Sequence, residues 1–222
     1  MKAMLLAAGR GKRMKSLTSN IPKPLLEVKG KCLIDWHLEK LSKAGFKDIV
    51  INVSYLSDKI IQHIGDGKRW NLNIIISHEP QALETAGGIR KAIFHLGYGP
   101  FVVINADIFS NYDYTNFKKI PLEQTSLGHL VLVNNPAHNT NGDFGLSKNG
   151  TLMMNHDQLY TFSGIAVYKP KLFANLKEGI KIKLSEILES AINKKSIQGE
   201  LFEGAWSDIG TPDRLDLINS SD

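Results

Sequence analysis

MKAMLLAAGRGKRM, residues 1–14, joins a short apolar run to glycines and cations. The run Lys2–Ala7 predicts a buried first strand, because it is too short to span a membrane and a glycine follows almost at once. Glycines after a strand let backbone N–H groups approach phosphate oxygens closely, and Arg10, Lys12 and Arg13 add positive charge. The stretch therefore predicts an α/β fold with an anion-binding loop after its first strand.

Apolar runs alternate with helical patterns through the first half of the chain. Further strands are predicted at Asp48–Val53, Leu72–Ser77 and Phe101–Ala106, and helices at Leu33–Ala44, Tyr55–Ile64 and Thr85–Leu96. This alternation favours a mainly parallel sheet that is covered by helices on both faces.

The second half has a different pattern. Strands are predicted at Gly128–Asn134 and Thr161–Tyr168, a hairpin within residues 134–155, helices at Leu184–Asn193 and Thr211–Asn219, and a pair of strands around Gly199–Ser207. No linker, low-complexity tract or internal repeat interrupts the chain. We therefore expect one domain over residues 1–222.

Composition and charge limit the partners of the protein. The net charge is +5 and the isoelectric point about 9.1, but no long basic helix follows the first loop, so a small polyanion is favoured over nucleic acid. Cys32 is the single cysteine, which excludes an intramolecular disulfide and fits a cytoplasmic setting. No membrane partner is expected, and the oligomeric state stays open, a monomer included.

A lysine between two prolines is the second feature near the start. Pro22 and Pro24 restrict the backbone that presents Lys23, whose ammonium can act as a point charge on phosphate. The Walker pattern is absent, and Met14 stands where a dinucleotide-binding loop would need its third glycine. The two commonest phosphate-binding motifs are thus excluded.

Together, Leu6–Met14 and Pro22-Lys23-Pro24 resemble the signature of the sugar-1-phosphate nucleotidyltransferases, and the likeness continues to the C-terminus. The resemblance implies a Rossmann-like three-layer α/β sandwich with a mostly parallel mixed sheet, and Mg²⁺ as cofactor. It also implies that the first loop and Lys23 bind the triphosphate. The loop residues concerned are Gly9, Arg10, Gly11, Lys12 and Arg13.

Two carboxylates are candidate magnesium ligands. Asp107 ends an apolar strand, where α/β sheets bind ligands, although Ala106 replaces the usual glycine before it. Asp208 lies in a Trp-x-Asp-x-Gly-Thr-Pro segment, in which Thr211-Pro212 also predicts a helix start. By resemblance both aspartates bind Mg²⁺ and, with Arg13 and Lys23, form the catalytic set.

The segment from Glu79 to Gly88 is expected to surround the base, with Glu79, Glu84, Thr85 and Gly87 as nucleotide-binding residues. Glu84 departs from the glycine of many family members, so it either costs a backbone contact or adds a carboxylate near the nucleotide. A capped helix start explains the same residues without a ligand.

The sugar site is less distinct. By resemblance Asn105, Gly142, Asp143 and Trp206 line it, although residues 141–145 also fit an ordinary turn into a strand.

Within the family, the likeness implies transfer of UMP from UTP to N-acetylmuramate α-1-phosphate in peptidoglycan recycling. GTP with mannose 1-phosphate and dTTP with glucose 1-phosphate remain open, because Glu79 could accept from uracil or from guanine. The alternative of a different class is a catalytically silent nucleotide-binding module. The presence of Arg13, Lys23, Asp107 and Asp208 argues against it.

Overall fold

The computed structural model describes residues 1–120, 122 and 124–220. Its strands are β1 (Lys2–Leu6), β2 (Glu27–Val28), β3 (Lys31–Cys32), β4 (Asp48–Val53), β5 (Asn73–His78), β6 (Phe101–Asn105), β7 (Ile108–Ser110), β8 (Gly128–Val133), β9 (Phe144–Leu146), β10 (Leu152–Met153), β11 (Leu159–Tyr168), β12 (Ile197–Phe202) and β13 (Trp206–Asp208). Its helices are α1 (Leu33–Lys43), α2 (Ser57–Ile64), α3 (Glu84–Leu96), α4 (Leu184–Asn193) and α5 (Pro212–Ser220). None of these described helices has the length and apolar content needed to cross a bilayer.

Nine strands of the described chain form one mixed sheet, in which β1 lies between β4 and β6. The central run β6-β1-β4-β5 is parallel throughout. Beyond β6 the sheet continues with β11, which is antiparallel to both β6 and β8, while β12 adds parallel to β8. The predicted mostly parallel, mixed sheet is confirmed.

Side chains of β1 point alternately into two hydrophobic cores. Ala3 and Leu5 belong to the core that α1 covers through Leu38, whereas Met4 belongs to the core that α3 covers through Ile89. Strand side chains alternate between faces with period two, so one strand contributes to both layers. The result is the expected three-layer sandwich.

The parallel strands end in register at one edge of the sheet. Leu6 pairs with Asn52 on one side and with Asn105 on the other, and Val53 pairs with His78. The loops after β1, β4, β5 and β6 therefore leave the sheet together, at the edge where α/β folds bind ligands.

The two strands predicted around Gly199–Ser207 exist but do not pair with each other, so that expectation was wrong. β12 extends the main sheet, whereas β13 pairs antiparallel with β7 in a separate two-stranded sheet. A period-two pattern identifies a strand but not its partner, which long-range packing decides. This small sheet brings Asp208 beside the end of β6.

Candidate active site

A cavity of about 550 Å³ opens at the edge where the parallel strands end. Its walls come from the first loop, from the segment after β5, from the ends of β4 and β6, and from the residues before α4. The residues that line it are Leu6, Ala7, Ala8, Gly9, Arg10, Gly11, Lys12, Lys23, Pro24, Asn52, Glu79, Ala82, Glu84, Thr85, Asn105, Asp107 and Lys181.

The first loop is folded tightly around Gly11. Its φ of +65° is left-handed, and an added Cβ would lie 3.2 Å from the Thr18 methyl group. Thr18 Oγ1 and the Met14 amide both donate to the Gly11 carbonyl, at 2.9 Å each. A glycine at this position lets the chain turn over the cavity, so that Gly9 to Lys12 face it.

Arg10 and Lys12 also line a second, smaller basic cavity of about 270 Å³, where the Arg10 guanidinium lies 5.4 Å from the centre of the Tyr55 ring. Arg13 is exposed and lines neither cavity. The structure thus brings the loop glycines and two of its cations together, but not Arg13.

Lys23 is fixed by its proline neighbours. Pro22 is extended, Pro24 lies in a 3₁₀ turn, and the Leu25 amide donates to the Pro22 carbonyl at 2.8 Å. The Lys23 side chain is only 9% exposed and forms an ion pair with Oδ2 of Asp107. A nearly buried ammonium requires such a partner, and an incoming anion could compete for it.

The two predicted metal ligands meet through backbone pairing. Asp208 pairs with Ile108 in the β7–β13 ladder, and the Ile209 amide donates to the Asp107 carbonyl at 2.8 Å. Asp107 faces the main cavity, whereas Asp208 lies outside its lining.

Asp208 has two basic side chains beside it, Arg214 and His138. Its Oδ1 lies 2.5 Å from NH1 of Arg214 and 2.9 Å from Nε2 of His138. Among the described residues, no hydrogen bond is made to Oδ1 of Asp107 or to Oδ2 of Asp208. Two carboxylates with one open oxygen each fit a hard divalent cation, which takes few protein ligands and retains waters.

A different cluster of ligand types lies elsewhere, at Cys32, Asp35 and His63. Asp35 Oδ1 already lies 2.8 Å from His63 Nε2 and 3.3 Å from Arg69 NH2. Burial, with the Asp35 charge, raises the pKa of the Cys32 thiol, so the thiolate that binds metal is disfavoured. Ion pairing accounts for this group.

Glu79 is buried and links two segments of the site through hydrogen bonds. It is 1% exposed; its Oε1 accepts from Asn52 Nδ2 and its Oε2 from the Leu83 amide, both at 2.8 Å. Asn52 Oδ1 in turn accepts from the Ala7 amide at 2.8 Å. This chain of hydrogen bonds ties the end of β1 to the loop before α3 and fixes Glu79 at the cavity lining.

Glu84 is the exposed carboxylate of the same segment. Its φ is +61°, which is unusual for a residue with a Cβ, and it lines the cavity beside Thr85. Gly87 does not line it: an added Cβ there would collide with backbone atoms of Ile180 and Ile182. Gly87 therefore packs closely against residues 180–182, and Lys181 of that segment lines the cavity.

Among the expected sugar contacts, Asn105 lines the cavity and three others do not. Asp143 accepts from the Phe162 amide at 2.8 Å, and Trp206 Nε1 donates to the Ser163 carbonyl at 2.9 Å. Gly142, with φ +69°, packs against the backbone of Leu159. These groups support the wall behind Asn105.

Sequence reasoning missed Asn52, Lys181, His138 and Arg214. Asn52 lies within β4 and Lys181 in a polar stretch before α4, and no sequence motif marks either residue. The other two approach Asp208 from different segments. Only the tertiary structure shows these neighbours.

Comparison with known proteins agrees with this architecture. The nucleotidyl transferase family profile matches residues 2–221. The chain is 43% identical to N-acetylmuramate alpha-1-phosphate uridylyltransferase from Neisseria meningitidis, over 97% of this chain and 95% of that protein. It is 27% identical to mannose-1-phosphate guanyltransferase from Schizosaccharomyces pombe, over 96% of this chain and 61% of that protein.

Solved structures show the same fold. A Bacillus anthracis protein described as a glucose-1-phosphate thymidylyltransferase superposes with a TM-score of 0.85, covering 99% of this chain and 94% of its own at 21% identity. The sequence matches and the fold agree over nearly the whole chain. The chain therefore belongs to the nucleotidyl transferase family, and within it to the sugar-1-phosphate nucleotidyltransferases.

Proposed function

We propose that this enzyme transfers UMP from UTP to N-acetylmuramate α-1-phosphate and releases pyrophosphate. The observation that supports the substrate pair is the 43% identity, over nearly the full length of both chains, to a uridylyltransferase of that name. The observation that supports the chemistry is a cation-rich cavity at the strand ends, with two carboxylates at its border. The reaction would belong to cytoplasmic peptidoglycan recycling.

The nucleophile needs no general base. A phosphate monoester is largely deprotonated at neutral pH, because its second pKa is about 6. An oxygen of the sugar 1-phosphate attacks the α-phosphorus of UTP in line, and the bond to pyrophosphate breaks. The obstacle is the mutual repulsion of roughly six negative charges, so positioning and charge neutralisation dominate catalysis.

The chain supplies that neutralisation from two directions. Gly9, Arg10, Gly11 and Lys12 line the cavity, and their backbone amides and cationic side chains would hold the triphosphate. Lys23 enters from the side of Asp107, where it can exchange its carboxylate partner for phosphate oxygens as they approach. Arg13 remains a predicted triphosphate contact, reached by movement of its exposed side chain.

Asp107 and Asp208 would hold Mg²⁺ through the oxygens that make no hydrogen bond. When bound, Mg²⁺ supplies positive charge to the reacting phosphates. Lys23 balances the charge of Asp107, and Arg214 balances that of Asp208, so Mg²⁺ would bind at carboxylates that already have cations beside them.

Of the two carboxylates that the family resemblance places near the base, Glu84 is the more accessible, and Glu79 remains a predicted contact. Both oxygens of Glu79 are engaged inside the protein, whereas the Glu84 carboxylate is exposed at the cavity wall and free to accept from a donor on the nucleotide. Thr85 lies beside it. The contacts proposed for Asn105 with the sugar follow from its place at the end of β6, on the other side of β1 from Asn52.

A panel of substrate pairs tests the proposal by pyrophosphate release. UTP with N-acetylmuramate α-1-phosphate should give the highest kcat/KM, compared with GTP and mannose 1-phosphate, dTTP and glucose 1-phosphate, and UTP and N-acetylglucosamine 1-phosphate. A rival pair that wins by tenfold, about 1.4 kcal/mol of transition-state preference, would refute the muramate assignment. No release with any pair would instead favour the silent binding module.

A further inference from the structure

The side chain of Arg214 is held in a defined position beside Asp208. It lies in the first turn of α5, where its amide is 3.4 Å from Oγ1 of Thr211. Gly210 is what gives it room, because the atom nearest to an added Cβ at that residue is NH2 of Arg214 itself. The guanidinium thus lies against a glycine backbone, within an enclosed corner rather than on open surface.

Most of the donors of this guanidinium are unused. NH1 donates to Asp208 Oδ1, and Nε2 of His138 lies 2.6 Å from the same nitrogen. Among the described residues, NH2 and Nε have no hydrogen-bond partner, although the side chain is only 15% exposed. Arg has five N–H donors, and those on NH2 and Nε are not among the fully buried atoms of the described residues. These donors are therefore accessible to an acceptor that the protein does not supply.

The cluster lies on the Asp107 side of the cavity, and Arg214 and His138, like Asp208, lie outside the cavity lining. Asp208 belongs to the small sheet that adjoins Asp107, and His138 comes from the loop that continues to Gly142 and Asp143. Lys181, the other cation that sequence reasoning missed, lies in the cavity lining with Glu84, at the nucleotide end. The two missed cationic positions therefore serve different parts of the substrate pair.

N-acetylmuramate differs from N-acetylglucosamine by a lactyl ether that ends in a carboxylate. We propose that Arg214, with His138 beside it, binds this lactyl carboxylate and so selects the muramyl sugar. The inference rests on the proposed function. A planar carboxylate matches the two-pronged donor geometry of a guanidinium, and Arg214 can bridge Asp208 on one edge and the lactyl group on the other.

The test compares two sugar phosphates that differ only in the lactyl group. For the wild type, Arg214→Ala and Arg214→Lys, kcat/KM is measured with N-acetylmuramate α-1-phosphate and with N-acetylglucosamine α-1-phosphate, at saturating UTP and Mg²⁺. In Arg214→Ala the muramate value should fall 10- to 100-fold further than the glucosamine value, since a charge-assisted contact contributes about 1.5–3 kcal/mol. Arg214→Lys should restore only part of the preference for muramate, because lysine keeps the positive charge but lacks the two-pronged donor geometry of the guanidinium.

A purely positioning role for Arg214 gives a different result. If it only orients Asp208, both sugars lose the same factor in every variant, and the proposal is overturned. Lys181→Ala is the matched control: a cation is removed from the nucleotide end, so both sugars should change equally. His138→Ala, a more exposed change that spares α5, should reduce the muramate preference by a smaller factor even if Arg214 variants fold poorly.

A binding measurement separates recognition from turnover. Calorimetric titration without divalent metal, using UDP-N-acetylmuramate and UDP-N-acetylglucosamine, should show tighter muramyl binding to wild type and equal binding to Arg214→Ala. Equal binding to wild type would overturn the proposal. Failure of the proposed function is recognised separately, because the wild-type enzyme would then turn over N-acetylmuramate α-1-phosphate no better than its rivals.

Discussion

The two ends of the site are built in opposite ways. The nucleotide end, formed by residues 7–12 and 79–85, consists of loops that follow β1 and β5 directly, and the buried bonds of Asn52 and Glu79 hold them together. The metal end, formed by Asp107 and Asp208 with their cations, joins residues about a hundred positions apart through a short antiparallel ladder.

The nucleotide end is therefore a surface fixed by the backbone, whereas the metal end is a set of paired opposite charges. At the nucleotide end, the cavity is lined by loop residues whose positions depend on backbone hydrogen bonds and on the buried Asn52–Glu79 contact. At the metal end, each carboxylate already has a cation, Lys23 for Asp107 and Arg214 for Asp208. Under the proposed function, substrates and metal would therefore rearrange ion pairs at the metal end and bind to an already formed surface at the nucleotide end.

The largest effect is expected from the carboxylates. Asp107→Asn and Asp208→Asn should each lower kcat on the order of a thousandfold, about 4 kcal/mol, because each removes a charge that the metal needs. Steady-state kinetics at saturating Mg²⁺, with circular dichroism to confirm folding, measures this. Asp213→Asn, an exposed carboxylate in the first turn of α5, is the matched control and should retain wild-type kcat. Near-normal activity in both site variants would refute the two-carboxylate assignment.

The same difference explains what the sequence could predict. Loops that follow a strand are local, so Gly9, Lys12 and Asp107 could be placed at the cavity from short patterns alone. The element bounds also agree to within two residues, since hydrophobic periodicity reflects local burial. The partner of β13 and the neighbours of Asp208 depend on the packing of distant segments. The engagement of Glu79 by Asn52 likewise depends on strand register.

The second prediction concerns the support below the metal end. His37 of α1 is buried and its Nδ1 lies 2.7 Å from the Tyr114 hydroxyl, just beyond β7. Burial, with the nearby Lys40 charge, lowers the pKa of His37 to about 4 from an ordinary value of 6.5. Between these values the unfolded chain binds a proton that the folded protein does not. Stability should thus fall as the pH drops from 6.5 to 4, by about 3 kcal/mol in total.

Urea unfolding at pH 7 and pH 4.5 measures this slope. His37→Gln keeps a polar group near Tyr114 and cannot titrate, so it should lose less stability on acidification than wild type. The other histidines are common to both proteins and cancel in the comparison. An identical pH dependence of both would contradict the assignment to His37.

The third prediction contrasts one cation from each end. Lys23→Ala should lower kcat by roughly 10- to 100-fold, since Lys23 faces the reacting phosphates beside Asp107. Arg13→Ala should act chiefly on KM for UTP and by a smaller factor, because Arg13 lies outside the cavity lining. Unchanged kinetics in Lys23→Ala would reduce the loop to a solvated basic surface. Unchanged KM in Arg13→Ala would leave triphosphate binding to Arg10 and Lys12.

The smallest effect concerns Glu84, where a side chain occupies a left-handed backbone position at the nucleotide end. With φ at +61°, Glu84→Gly should relieve strain and raise the free energy of unfolding by about 0.5–1 kcal/mol, after allowance for the greater entropy of the unfolded glycine. For a chain of this length that corresponds to a rise in Tm of about 1–4 °C.

Glu84→Ala is the matched control, because it removes the same carboxylate and keeps the Cβ. The Gly and Ala variants should therefore differ in Tm but share one raised KM for UTP. Equal Tm values in these two variants would show that the backbone is unstrained. A KM equal to that of wild type in both would show that the carboxylate does not contact the nucleotide.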